Sequence, residues 1–103
     1  MKTLEEITAY KIPADFGDLI SELSDCDGWM SKLIIYDRDT AVVLEAMGFA
    51  SRNARGSYGG TKKLKDVYNK EDVKGVTKAV VAFCKEKNIK VFETKVRYDY
   101  EEL

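Results

Sequence analysis

Apolar residues recur at helical spacing over residues 73–84 and at strand spacing over residues 92–98 of the same chain. In the first stretch Val73, Val76, Val80, Phe83 and Cys84 form one stripe, while Lys70, Lys74, Lys78 and Lys85 lie off it. In the second, Phe92, Thr94, Val96 and Tyr98 alternate with polar or charged residues. A period of 3.6 places side chains on one face of a helix, and a period of 2 on one face of a strand. A chain that carries both in succession must pack a helix on a sheet, which puts it in the α+β class. Asn69 reads as the cap of a helix over 70–88, with Asp72 three residues on in capping-box register. Gly75 inside that helix costs about 1 kcal/mol against alanine. Either something packs closely against it or the helix starts later.

The remaining elements follow from the same signals. EITAYKI at 6–12 reads as a short strand, although Thr3 and Glu6 also fit a capping box. Pro13 suits the first turn of a helix over 14–24, where its missing N–H costs nothing. Phe16, Leu19, Ile20 and Leu23 make that helix's apolar face. A turn at 24–28 leads to Lys32–Tyr36, KLIIY, a near-continuous apolar run that reads as a central strand. Over 39–47 a helix is expected, with Asp39 as cap, Val42, Val43, Ala46 and Met47 on the apolar face, and Gly48 as stop. The competing reading makes 40–47 a strand that pairs back on 32–36. Residues 48–65 read as a flexible, basic, glycine-rich loop, part of which could form a hairpin. The resulting order is β-α-β-α-loop-α-β, a short sheet packed by two or three helices. If 39–47 is a strand, the order becomes β-α-β-β-α-β, which is ferredoxin-like. All 103 residues form one small domain. A chain of that length buries about two thirds of its unfolded surface, enough for a core without staples.

Charge is sorted along the chain. Residues 12–31 hold five carboxylates (Asp15, Asp18, Glu22, Asp25, Asp27) and no Lys or Arg. Residues 46–65 hold five cations (Arg52, Arg55, Lys62, Lys63, Lys65) and no Asp or Glu. The formal net charge of −1 conceals this. Asp15, Asp18 and Glu22 fall together on the polar face of the 14–24 helix. The cations sit among glycines, with Tyr58 between them. Such a stretch can follow a phosphate backbone while the tyrosine stacks on a base. It can equally pair with acid on the same chain, on a second copy or on another protein. A sequence pI near 5.5 argues against a dedicated nucleic-acid binder.

Motifs for chemistry are incomplete. Histidine is absent, which removes the commonest general base and zinc ligand. The run LIIYDRDT resembles the opening motif of the haloacid-dehalogenase phosphotransferases, in which a strand ends in Asp-x-Asp. Asp37 and Asp39 match, but Thr40 falls one residue early and position 41 is alanine. The resemblance implies at most a Mg²⁺ pair at Asp37 and Asp39, because the rest of that fold does not fit in this length. Asp25–Gly28 is similar to a calcium loop, yet the other ligand positions fall on Leu23 and Ile34. GSYGGTKK has Thr61 before Lys62, the wrong order for a Walker loop. Gly56–Gly59 fits the four-residue GXXG of KH domains, a pattern too short to specify a family.

Cys26 and Cys84 read as free thiols, Cys84 as a small hydrophobe on a helix face. No run approaches a signal peptide or membrane span, so a cytoplasmic protein is expected. No cofactor and no catalytic residue are assigned. Trp29 and Met30, just after the acidic window, suit either an interface anchor or a buried strand start. The expected function is non-enzymatic: a regulatory or inhibitory protein that docks on a macromolecular partner, of the size common among phage or mobile-element accessory proteins. A protein partner is expected, on the acidic face Asp15, Asp18, Glu22, Asp25 and Asp27, and a homo-oligomer is compatible with the sorted charge. The alternative is a nucleic-acid module that uses Arg52, Arg55, Tyr58, Lys62, Lys63 and Lys65.

Overall fold

A computed structural model describes residues 3–25, 38–96 and 99–103. After a single 3-10 turn at Leu4–Glu6 come β1 (Ala9–Ile12), α1 (Phe16–Asp25), α2 (Arg38–Met47), β2 (Ala50–Arg52), β3 (Tyr58–Gly60), α3 (Lys62–Glu86), β4 (Lys90–Val96) and β5 (Asp99–Glu102). The fold is α+β, with three helices, a three-stranded sheet in the order β1-β4-β5 and a separate β2-β3 hairpin among the described residues. The β1–β4 pair is parallel, with Tyr10 opposite Val91 and Lys11 opposite Phe92. The β4–β5 pair is antiparallel, with Phe92 opposite Glu102 and Thr94 opposite Tyr100.

At the N-terminus a single 3-10 turn precedes the strand, and the Thr3 side chain makes no capping bond to the turn's backbone, so the expected capping box does not form. Thr3 Oγ1 donates to Glu6 Oε1 at 3.3 Å, closing the turn, and the strand begins only at Ala9. Pro13 O accepts from the Phe16 N–H, so 13–15 form a turn and α1 starts two residues after the expected position. Its stripe Phe16, Leu19, Ile20 and Leu23 is buried as the spacing requires. The expected strand 32–36, most of the 24–28 turn, Trp29 and Met30 lie outside the described residues.

Residues 38–47 are helical, which removes the ferredoxin-like order. Gly48 follows at φ +81, and the Phe49 N–H returns to Leu44 O at 2.9 Å. A glycine in the left-handed region stops the helix without a Cβ penalty. The stretch 48–65 is not mainly loop. It is the hairpin β2–β3 followed by the first turn of α3. Asn53 Oδ1 accepts from the N–H groups of Arg55 and Ser57, building the hairpin turn from one side chain. Thr61, not Asn69, caps α3: its Oγ1 accepts from the Leu64 N–H at 3.3 Å.

The expected 70–88 helix is the second half of this longer one. Asp72 breaks α3 with φ 60 and ψ −161, and its carboxylate accepts from the Val73 N–H at 2.9 Å. Gly75 is buried, and a Cβ there would fall 2.2 Å from Glu71 Cβ. The glycine is required by the kink, where the chain closes on itself. At the other end, the single strand expected at 91–98 becomes β4 and a returning β5, with a register shift between Thr94 and Val96.

The core lies between the sheet's inner face and the helices. Tyr10, Ile12 and Val91 point into it, with Ile20, Leu23, Val43, Leu44, Phe49, Leu64, Val76, Val80 and Cys84. The Tyr10 hydroxyl is satisfied inside it by Thr40 Oγ1 of α2, 2.7 Å away. Lys11 and Lys90 point the other way and are exposed. No helix among the described residues is long and apolar enough to cross a membrane.

Candidate functional site

Folding assigns half of the basic stretch to structural work. Arg52 on β2 has its Nε 3.9 Å from Glu45 Oε2 of α2. Tyr58 on β3 is 2% exposed and lies beside Glu45 and Arg52. Its pKa is raised, first by burial and then by the Glu45 carboxylate. A buried ring cannot stack on a base, so Tyr58 does not fill the stacking role expected from its place among the cations. With Leu4 and Val42 the trio lines a groove of about 290 Å³.

Lys63 is also committed. Its Nζ donates to Met47 O at 2.8 Å, at the end of α2, and lies 5.6 Å from the centre of the Phe49 ring. A cation there meets the unpaired carbonyls and negative pole of the helix C-terminus. Thr61 Oγ1 donates to Gly48 O at 2.6 Å beside it. The two contacts tie α3 to the end of α2. Arg55 at the hairpin turn and Lys62 and Lys65 in the first turn of α3 make no such contact among the described residues. The two lysines sit at the positive end of α3, where the helix dipole disfavours them.

The acidic window forms a single outward face. Asp15, Asp18, Glu22 and Asp25 are exposed, while the opposite side of α1 is buried. Asp27 lies outside the described residues. This helix packs on β3 and α3, joined to them by backbone and neutral contacts. The Tyr68 hydroxyl donates to Ser21 Oγ at 3.2 Å, and a Cβ on Gly60 would meet Leu23 O at 2.4 Å. Glu22 has a polar partner. Among the described residues Asp15, Asp18 and Asp25 have none.

Among the described residues no three metal-ligating side chains gather. Asp39 lies in the first turn of α2 with a partner of its own, and Asp37 lies outside the described residues. Cys84 is fully buried, and burial pushes its thiol up to about 11.

Sequence reasoning passed over the sheet's outer face. There Lys11 lies with Nζ 4.4 Å from the centre of the Tyr100 ring, and Tyr100 is 43% exposed. Alternation in 92–98 separates the two faces of a strand but gives no sign of the returning strand β5. Nothing therefore placed Tyr100 beside Lys11. Compared with known protein families, curated proteins and solved structures, the chain matches none of them.

Proposed function

We propose that this protein is a non-enzymatic binding protein that docks on a basic protein partner through the acidic face of α1. One observation carries the reading: Asp15, Asp18 and Asp25 stand exposed on one side of a helix whose other side is buried, without a cation partner among the described residues. Charge of one sign on a fixed surface steers encounter with the opposite sign and sets register. The basic stretch supports the same choice by subtraction. Arg52, Tyr58 and Lys63 are occupied within the fold, so only Arg55, Lys62 and Lys65 are left for a phosphate backbone. A regulatory or inhibitory role, and an accessory-protein origin, fit the small size and the surface-based mode of action.

The test is capture of partners from the source cell on immobilised wild-type protein and on two charge-reversed variants. Asp18→Lys/Asp25→Lys loses the partner, whereas Lys62→Glu/Lys65→Glu keeps it. A partner held equally well by the acid-face variant defeats the reading.

A further inference from the structure

The sheet's two faces differ in chemistry. The inner face carries Tyr10, Ile12 and Val91 into the core. The register puts Lys11, Phe92 and Glu102 in one row of the outer face, and Thr94 and Tyr100 in the next. Lys90 lies two residues before Phe92 on the same side. Of these, Lys11, Lys90, Tyr100 and Glu102 are exposed, and Phe92 and Thr94 are partly so. Phe92 and Tyr100 are diagonal neighbours, a relation that separates residues by about 7–8 Å. Two aromatic rings thus stand side by side on an open surface, with a lysine on β1 and another on β4. Glu102, on the outermost strand, is the one carboxylate of these six. The chain as a whole is net negative, yet among its described residues this face carries two cations to one anion.

The Lys11 ammonium already rests on the Tyr100 ring, 4.4 Å from its centre. The ammonium covers one face of the ring, while Tyr100 as a whole stays 43% exposed to solvent. An exposed lysine holds such a position by a weak contact, worth about 0.5–1 kcal/mol. A base that stacks on the ring displaces the ammonium, and the lysine's reach lets it follow the adjoining phosphate.

We infer that the outer face of the β1-β4-β5 sheet is a binding platform for single-stranded nucleic acid. Tyr100 and Phe92 stack neighbouring bases, and Lys11 and Lys90 take the phosphates between them. Single strands fit this face because only unpaired bases offer their flat sides, and a sheet surface presents rings at a spacing suited to successive bases. Charge complementarity selects nucleic acid over the basic partner proposed for α1, and the two surfaces are independent.

The experiment is a fluorescence-anisotropy titration of labelled dT12 and U12 and of a 12-base-pair duplex, at low and moderate salt. Wild type binds the single strands more tightly than the duplex, and binding weakens with salt. Tyr100→Ala, at an exposed position, weakens single-strand binding roughly 5- to 100-fold. Lys11→Ala/Lys90→Ala weakens it and flattens the salt dependence. Lys62→Ala/Lys65→Ala, on the other surface, leaves it within about twofold. Melting curves verify that each variant is folded. Absence of binding at low salt overturns the proposal, as does equal binding of duplex or indifference to Tyr100→Ala. Loss of binding only in the Lys62/Lys65 variant assigns nucleic acid to the hairpin side and also overturns it. So does loss of a captured protein, with oligonucleotide binding intact, on Tyr100→Ala.

Discussion

Two glycines of this chain do different jobs, and substitution by alanine separates them. A Cβ on Gly60 would sit 2.4 Å from Leu23 O, backbone that cannot swing aside. Gly60→Ala therefore costs about 1–3 kcal/mol or more, the range of overpacked cores, read as a lower urea midpoint. Gly17, inside α1, has Val73 Cγ1 at an ordinary 3.7 Å. There alanine gains helix propensity, and Gly17→Ala raises stability by about 0.5–1 kcal/mol. The buried Cys84 thiol is displaced from its ordinary 9.0 to about 11. The unfolded chain gives up this proton first, so it binds fewer protons than the folded one between those values. That contribution to stability is whole below pH about 9 and falls away towards about 11. Cys84→Ala removes this part of the slope in alkaline urea titrations, leaving the tyrosine part. In a Cys26→Ser background, Cys84 resists thiol reagents at pH 8 until the protein is denatured.

At the scale of elements, the kink in α3 joins two helices through a residue rarely seen in that backbone region. Asp72 combines φ 60 with a carboxylate that caps Val73. Asp72→Ala loses the cap and keeps the strain, costing about 1–2 kcal/mol. Asp72→Gly loses the cap but relieves the strain, and is closer to neutral. Reversal of that order in urea unfolding would show that Asp72 is not strained. Lys63→Ala, which frees the end of α2, costs about 1 kcal/mol, while Lys62→Ala stays within about 0.5 kcal/mol. The apolar stripe of α1 was legible in the sequence because Phe16, Leu19, Ile20 and Leu23 all obey one period and all are buried. The 38–47 helix was legible through its composition and Gly48. The hairpin was not, because strands of three residues, Ala50–Arg52 and Tyr58–Gly60, are too short to show alternation. The start of α3 was hidden for another reason. Its first turn, Lys62, Lys63 and Lys65, looks like loop until Thr61 is seen to cap Leu64. The same lysines made the basic stretch look wholly available. Which of them folding occupies depends on contacts with Met47 and Phe49 that local sequence does not signal.

At the scale of the whole molecule, charge sorting outlasts folding but changes its meaning. The two windows meet through a neutral contact, Gly60 with Leu23, flanked by the Tyr68–Ser21 hydrogen bond, and the ion pair of the basic stretch goes to Glu45. Salt should therefore alter partner binding far more than it alters stability. Between low and moderate salt, the urea midpoint stays nearly constant while affinity for a basic partner falls. The most direct measurement is the dissociation constant of the captured partner for wild type, Asp18→Lys/Asp25→Lys and Lys62→Glu/Lys65→Glu, each folded by thermal melting. Docking through α1 predicts a loss of tenfold or more for the first variant and little change for the second, as for desolvated charge pairs in other interfaces. Unchanged affinity in the acid-face variant, or loss confined to the lysine variant, would contradict it.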